Sequence, residues 1–131
     1  MSQTADAKFL EQAQLLGYSF EGDIKIGGNY VPLVRDGNHI YVSGQIPRVD
    51  NTVVVTGDVG ADVSLADAQK AAKVCVMRAL ALLQLADGAS ELLFAVLGEQ
   101  VGAHSRTSVG VLQLPKNASV EIDLIASVRT A

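Results

Sequence analysis

Cysteine occurs once in the 131-residue chain, as Cys75, so no intrachain disulfide is possible and a reducing compartment is expected. Histidine is nearly as scarce. His39 and His104 have no cysteine or acidic cluster at metal-ligand spacing, which argues against a structural zinc site, and no metal is expected. No apolar stretch is long enough to span a bilayer, and no basic segment leads into an apolar run near the N-terminus. A cytoplasmic chain without a membrane partner is therefore expected. No run of Lys or Arg stands out and the net charge is −4, so the broad basic face of a nucleic-acid binder is missing. A local basic pocket made by assembly stays open.

Apolar residues make up 49% of the chain, enough to predict a packed core, and the length fits one domain over residues 1–131. Phe9, Leu10, Ala13 and Leu16 recur at helical spacing before Gly17, which predicts a short N-terminal helix. Tyr30 to Val34 and His39 to Ser43 read as strands around the turn signal Asp36-Gly37-Asn38, hence as a hairpin, with Pro32 marking an edge or bulge. Thr52 to Thr56 reads as a third strand. Ser64 to Leu83 is the clearest helix. Ser64 with Asp67 has the form of a capping box, and Ala68, Ala72, Cys75, Ala79 and Leu82 form one stripe of mostly small residues for packing on a sheet. A further helix is predicted over 88–97 and a strand over 108–114, ended by Pro115. From Val120 to Val128 apolar and other residues alternate with period two, a strand with one buried face. This order predicts an α+β fold: a mostly antiparallel sheet with two helices on one face, plus the short N-terminal helix.

Three segments together resemble the Rid family (the YjgF/YER057c/UK114 group, also labelled endoribonuclease L-PSP). They are Gly28-Asn29-Tyr30-Val31-Pro32, then Tyr41-Val42-Ser43-Gly44-Gln45-Ile46-Pro47, and then Ser105-Arg106-Thr107-Ser108-Val109 through Leu114-Pro115 to Val120-Glu121-Ile122. Each alone is weak; as an ordered set over roughly residues 17–129 they are specific. The first segment and the added N-terminal helix look more like a Rid-like branch than like the best-studied imine deaminases. The resemblance implies a chorismate-mutase-like fold and a homotrimer with pockets in the clefts between subunits. It departs in one place. Family members carry a core strand and a long loop between the two helices, whereas Leu83-Gln84-Leu85-Ala86-Asp87 joins them directly here. A strand of about 5–6 residues plus its turns does not fit in that joint. Either the chain has lost a sheet strand or the sequence omits a segment.

The activity that the resemblance implies is hydrolysis of a small 2-imino or enamine acid to a 2-keto acid and ammonia, with no cofactor. Arg106 would hold the substrate carboxylate, because a planar guanidinium pairs with it bidentately where a lysine does not. Glu121 would orient or deprotonate the attacking water, or pass a proton to the leaving nitrogen. Tyr30 would wall the pocket from the neighbouring subunit. Ser108 stands where better-known members often have Cys and can hold a water. Ser43 and Gln45, at a strand end, would shape the pocket. Asp87 stands near a place where members often carry an Asn.

Taken without their flanks, these residues have ordinary readings. Arg106 is then a surface or interface arginine, Glu121 a solvated strand residue, Tyr30 a strand aromatic and Ser43 a turn residue. Cys75, between Val74 and Val76, reads as a core thiol. Two other classes compete with the enzyme: a trimer that binds a small carboxylate without turnover, and a structural or chaperone-like assembly. An endoribonuclease is disfavoured by the acidic composition and by the lack of a histidine pair for acid–base work.

Overall fold

The computed structural model describes residues 5–22, 24–84 and 110–127. Helix α1 spans Ala5–Leu16 and ends at Gly17, whose φ of 77° is the left-handed conformation of a helix C-terminal glycine. Strands β1 (Leu33–Asp36) and β2 (His39–Gln45) pair antiparallel with Asp36 opposite His39. This leaves a two-residue Gly37-Asn38 turn, with Gly37 at φ 58° in the first position. The strand starts at Leu33 rather than Tyr30 because Pro32 has no N–H to give the ladder. The Pro32 carbonyl still accepts from the Ser43 N–H at 3.0 Å.

The predicted third strand over 52–56 is corrected. Strands β3 (Arg48–Val49) and β4 (Thr52–Val53) form their own two-stranded hairpin, separate from the main sheet. Asp50, at φ 51°, reverses the chain directly after Pro47-Arg48-Val49, so Thr52-Val53 pairs back on its neighbour before it can reach β2. Thr56 makes only an isolated bridge to Ala118.

Helix α2 (Leu65–Gln84) is the backbone of the core. Ser64 caps it: its Oγ accepts from the Asp67 N–H at 3.1 Å and donates to Asp67 Oδ2 at 2.9 Å. Ala68, Cys75, Ala79 and Leu82 of the predicted stripe are buried and Ala72 is half-buried; Ala71, Val74, Met77, Leu80 and Ala81 are buried with them. Small residues let α2 lie close to β2 and β5, while Phe9 and Ala13 of α1 join the same core. Phe9 meets Phe20 edge-on at 6.2 Å. Each fully buried Ile or Leu, such as Ile40 and Leu80, contributes about 1.5–3 kcal/mol.

Strand β5 (Ile122–Ser127) pairs antiparallel with β2, giving the order β1-β2-β5. The period-two reading holds: Ile122, Leu124 and Ala126 are half-buried toward α2, and Asp123, Ile125 and Ser127 are exposed. The strand predicted over 108–114 is corrected for its described part. Residues 110–114 are not strand, and Val111 and Leu112 are exposed, with no described strand alongside to accept their backbone hydrogen bonds. Pro115–Asn117 form a short 3-10 turn. The helix predicted over 88–97 lies outside the described residues. The architecture is α+β, an antiparallel sheet backed by α2, with α1 against α2.

Candidate functional site

The site is built where β2 breaks its own alternation. Val42 faces Leu124 and Gln45 faces Ile122, so three steps along β2 match two along β5. The extra residue is a β-bulge at Ser43-Gly44, and bulges of this kind re-aim side chains. In a regular strand Gln45 would point outward with Tyr41. The bulge turns it inward, where it is 3% exposed.

Inside, Gln45 meets Arg78 of α2. Arg78 Nε donates to Gln45 Oε1 at 3.2 Å, Nη1 to the Arg48 carbonyl at 2.7 Å and Nη2 to the Lys25 carbonyl at 2.8 Å. Arg78 is 5% exposed, and these three acceptors are uncharged oxygens on three separate segments. Burial pushes Arg78 below its ordinary pKa and the nearby Arg48 adds to the lowering, while Cys75 and Tyr30 act in the opposite direction. The other half of the Gln45 amide continues outward. Its Nε2 donates to the Ser43 carbonyl at 3.0 Å and reaches Ser43 Oγ at 3.5 Å.

Glu121 stands just before β5. Its carboxylate lies over Gly44, where a Cβ would come within 2.8 Å of the Glu121 carboxyl carbon. The carboxylate has no hydrogen bond or ion pair from another described residue and is exposed. Cys75 lies beneath, its Sγ 3.9 Å from the Val120 carbonyl. Burial pushes this thiol up to about 12; Arg78 partly offsets the rise and Glu121 adds to it, so Cys75 stays a protonated core thiol and no nucleophile. Tyr30 is half exposed in the loop before β1, and its ring covers Gly28, where a Cβ would be 2.8 Å from a ring carbon. Next to it, Lys116 extends over Gly27, its Cε 3.6 Å from where a Cβ would stand.

Of the residues singled out in the sequence, Ser43, Gln45 and Glu121 come together at the bulge, and Tyr30 lies within electrostatic reach of Arg78 of the same chain. Arg106 and Ser108, like His104 and Asp87, lie outside the described residues. Sequence reasoning missed Arg78, Arg48 and Gly44. Arg78 did leave a signal: it is a lone charge inside the apolar run Val74-Cys75-Val76-Met77-Arg78-Ala79-Leu80. Among the described residues no group of three or more His, Cys, Asp or Glu is placed to hold a metal, and no helix is long and apolar enough to cross a membrane.

An antiparallel sheet backed by a buried helix, with a bulge against which an exposed carboxylate rests, defines the class of fold and site. The family model described as Endoribonuclease L-PSP matches residues 21–128. The chain belongs to this family, the Rid (YjgF/UK114) family. It is 31% identical to Protein TCP17 of Trypanosoma cruzi over 155 aligned residues, covering 95% of this chain and 97% of the relative. Since 95% of 131 residues is about 124, roughly 31 of the 155 aligned positions are internal to the relative and have no counterpart here. The solved structure of Atu1372, a protein of unknown function from Agrobacterium tumefaciens, is 33% identical with a TM-score of 0.69, covering 92% of this chain and 91% of that one. A Shewanella oneidensis MR-1 protein, described provisionally as an endoribonuclease, shares the fold at 19% identity with a TM-score of 0.76, covering 96% of this chain and all of the other.

Proposed function

We propose that the protein is a hydrolytic deaminase of small 2-imino and enamine acids, working without a cofactor as a homotrimer whose sites lie between subunits. The observation that carries the reading is the Glu121 carboxylate, unpaired among the described residues and seated on Gly44 of the bulge. A carboxylate held on backbone, with no cation among the described residues consuming it, is suited to orient a water. In the reaction, water adds to the imine carbon of the 2-imino acid and one of its protons goes to the nitrogen; the second passes from the new hydroxyl to the nitrogen as the C–N bond breaks, releasing ammonia and a 2-keto acid. Arg106 would hold the substrate carboxylate, and fixing that end fixes the imine carbon relative to the water. Ser108 would hold a water, Tyr30 would wall the pocket, and Ser43 and Gln45 would shape its floor.

Trimer formation has its own support in the outer sheet face. Val34, Tyr41 and Ile125 lie in register across β1, β2 and β5 and are exposed by 50%, 44% and 73%. A cross-strand apolar row of this kind favours burial against another copy.

The test is a coupled assay in which a threonine or serine dehydratase produces the imino acid in the presence of semicarbazide, and the added protein competes for it. Semicarbazone formation should fall, and Arg106→Ala should abolish the effect. No competition with several amino-acid precursors would sink the deaminase reading and leave a carboxylate-binding trimer. The endoribonuclease label has little chemical support: His39, the single histidine among the described residues, sits exposed on the outer sheet face beside Tyr41.

A further inference from the structure

A guanidinium whose partners among the described residues are all neutral is costly to bury, because desolvating the charge is repaid there by hydrogen bonds alone. A methionine or leucine would fill the same place beside Cys75 without that cost. What neither could do is donate at once to the loop at Lys25, to the hairpin at Arg48 and to the side chain of Gln45. The three donors of a rigid fork fix the position of Gln45 relative to α2, the longest element of the described fold.

Gln45 passes this constraint on. Its oxygen accepts from Arg78 and its nitrogen donates to Ser43, so the amide cannot flip without losing both contacts. Between the two residues lies Gly44, against which the Glu121 carboxylate rests. From α2 to Glu121 the chain of contact is therefore Arg78, Gln45, the Ser43-Gly44 bulge and the carboxylate. We infer that Arg78 is a positioning residue of this site, acting through Gln45 to fix the bulge on which Glu121 is seated. The inference rests on the deaminase reading above.

The relay can be cut in its middle without removing the anchor. Gln45→Glu keeps an oxygen for Arg78 Nε and gives the buried cation a carboxylate, but it has no N–H for the Ser43 carbonyl. A merely structural role predicts that stability and turnover move together. A positioning role predicts that they separate: the urea midpoint is held or raised, while kcat falls about tenfold or more at a KM within about twofold of wild type. Arg78→Lys is the second variant. It keeps the charge, but its three N–H donors sit on one nitrogen and do not span acceptors placed for Nε, Nη1 and Nη2, and it should lower kcat in the same way. Turnover by the wild-type protein with undiminished kcat in folded Gln45→Glu, or in folded Arg78→Lys, overturns the inference while leaving the deaminase reading in place. A wild-type protein without turnover removes both.

Discussion

The carboxylate of Glu121 occupies the space that a side chain at Gly44 would need. Gly44 lies in β2 and Glu121 stands just before its partner strand β5, and the bulge at Ser43-Gly44 opens the hollow that the carboxylate enters. Because Glu121 is exposed and its side chain flexible, Gly44→Ala should displace it at little cost to the fold. The expected result is a stability change below about 1 kcal/mol in urea unfolding. Imine hydrolysis should nevertheless fall by about tenfold or more, since catalysis by positioning is sensitive to shifts of an ångström. Full activity in Gly44→Ala would separate Glu121 from the chemistry.

A second prediction concerns assembly. Tyr41 and Ile125 are register partners on the outer face of the sheet, with Val34 opposite Tyr41 on the other side. Ile125→Lys places a charge at the β5 end of that row, on its most exposed member, and an unpaired buried charge disfavours an interface strongly. Sedimentation at micromolar concentration should show a trimer for the wild type and a monomer for the variant. A wild-type monomer would rule out the trimer, and a trimeric Ile125→Lys would move the interface to another face.

Cys75 gives a prediction in pH. Its thiol is pushed from the ordinary value of 9.0 up to about 12 by burial. Above pH 9 the unfolded chain releases this proton while the folded one keeps it, so the folded state binds more protons and stability falls as pH rises. The contribution is intact below about 9 and is lost progressively toward 12. Urea midpoints at pH 8 and pH 10 should therefore differ, and Cys75→Ser should flatten the difference. A thiol reagent at pH 8 should label Cys75 in urea and leave it untouched in buffer.

The cap of α2 is open to a direct test. Ser64→Ala removes the acceptor of the Asp67 N–H, and caps of this type contribute about 1 kcal/mol. Tm should drop by a few degrees. Asp67 is one methylene shorter than the glutamate of the usual capping box, and its carboxylate bonds the Ser64 hydroxyl rather than the cap's backbone. Asp67→Ala should accordingly cost less than Ser64→Ala, with an unchanged Tm in Ser64→Ala counting against the cap.

Local pattern was enough for α1, α2, the β1–β2 hairpin and β5, because in each the signal lies within a few residues. Apolar spacing of three and four, alternation by two, a glycine at a left-handed turn and a serine at a helix start are all written in the chain itself. Family resemblance supplied Tyr30, Ser43, Gln45, Arg106, Ser108 and Glu121 as a set, without their geometry. Tertiary structure alone decided which way Gln45 points. Counting by two from Tyr41 sets it outward, and only the pairing of β2 with β5, some 80 residues later, introduces the extra residue that turns it toward Arg78. It also decided the partners of Arg78, the lone charge in the apolar run of α2: its three acceptors at Lys25, Gln45 and Arg48 are remote in sequence and meet only when the sheet packs on α2. Local spacing fixes the conformation of an element, whereas the partners of a buried polar group depend on long-range pairing that no window of sequence contains.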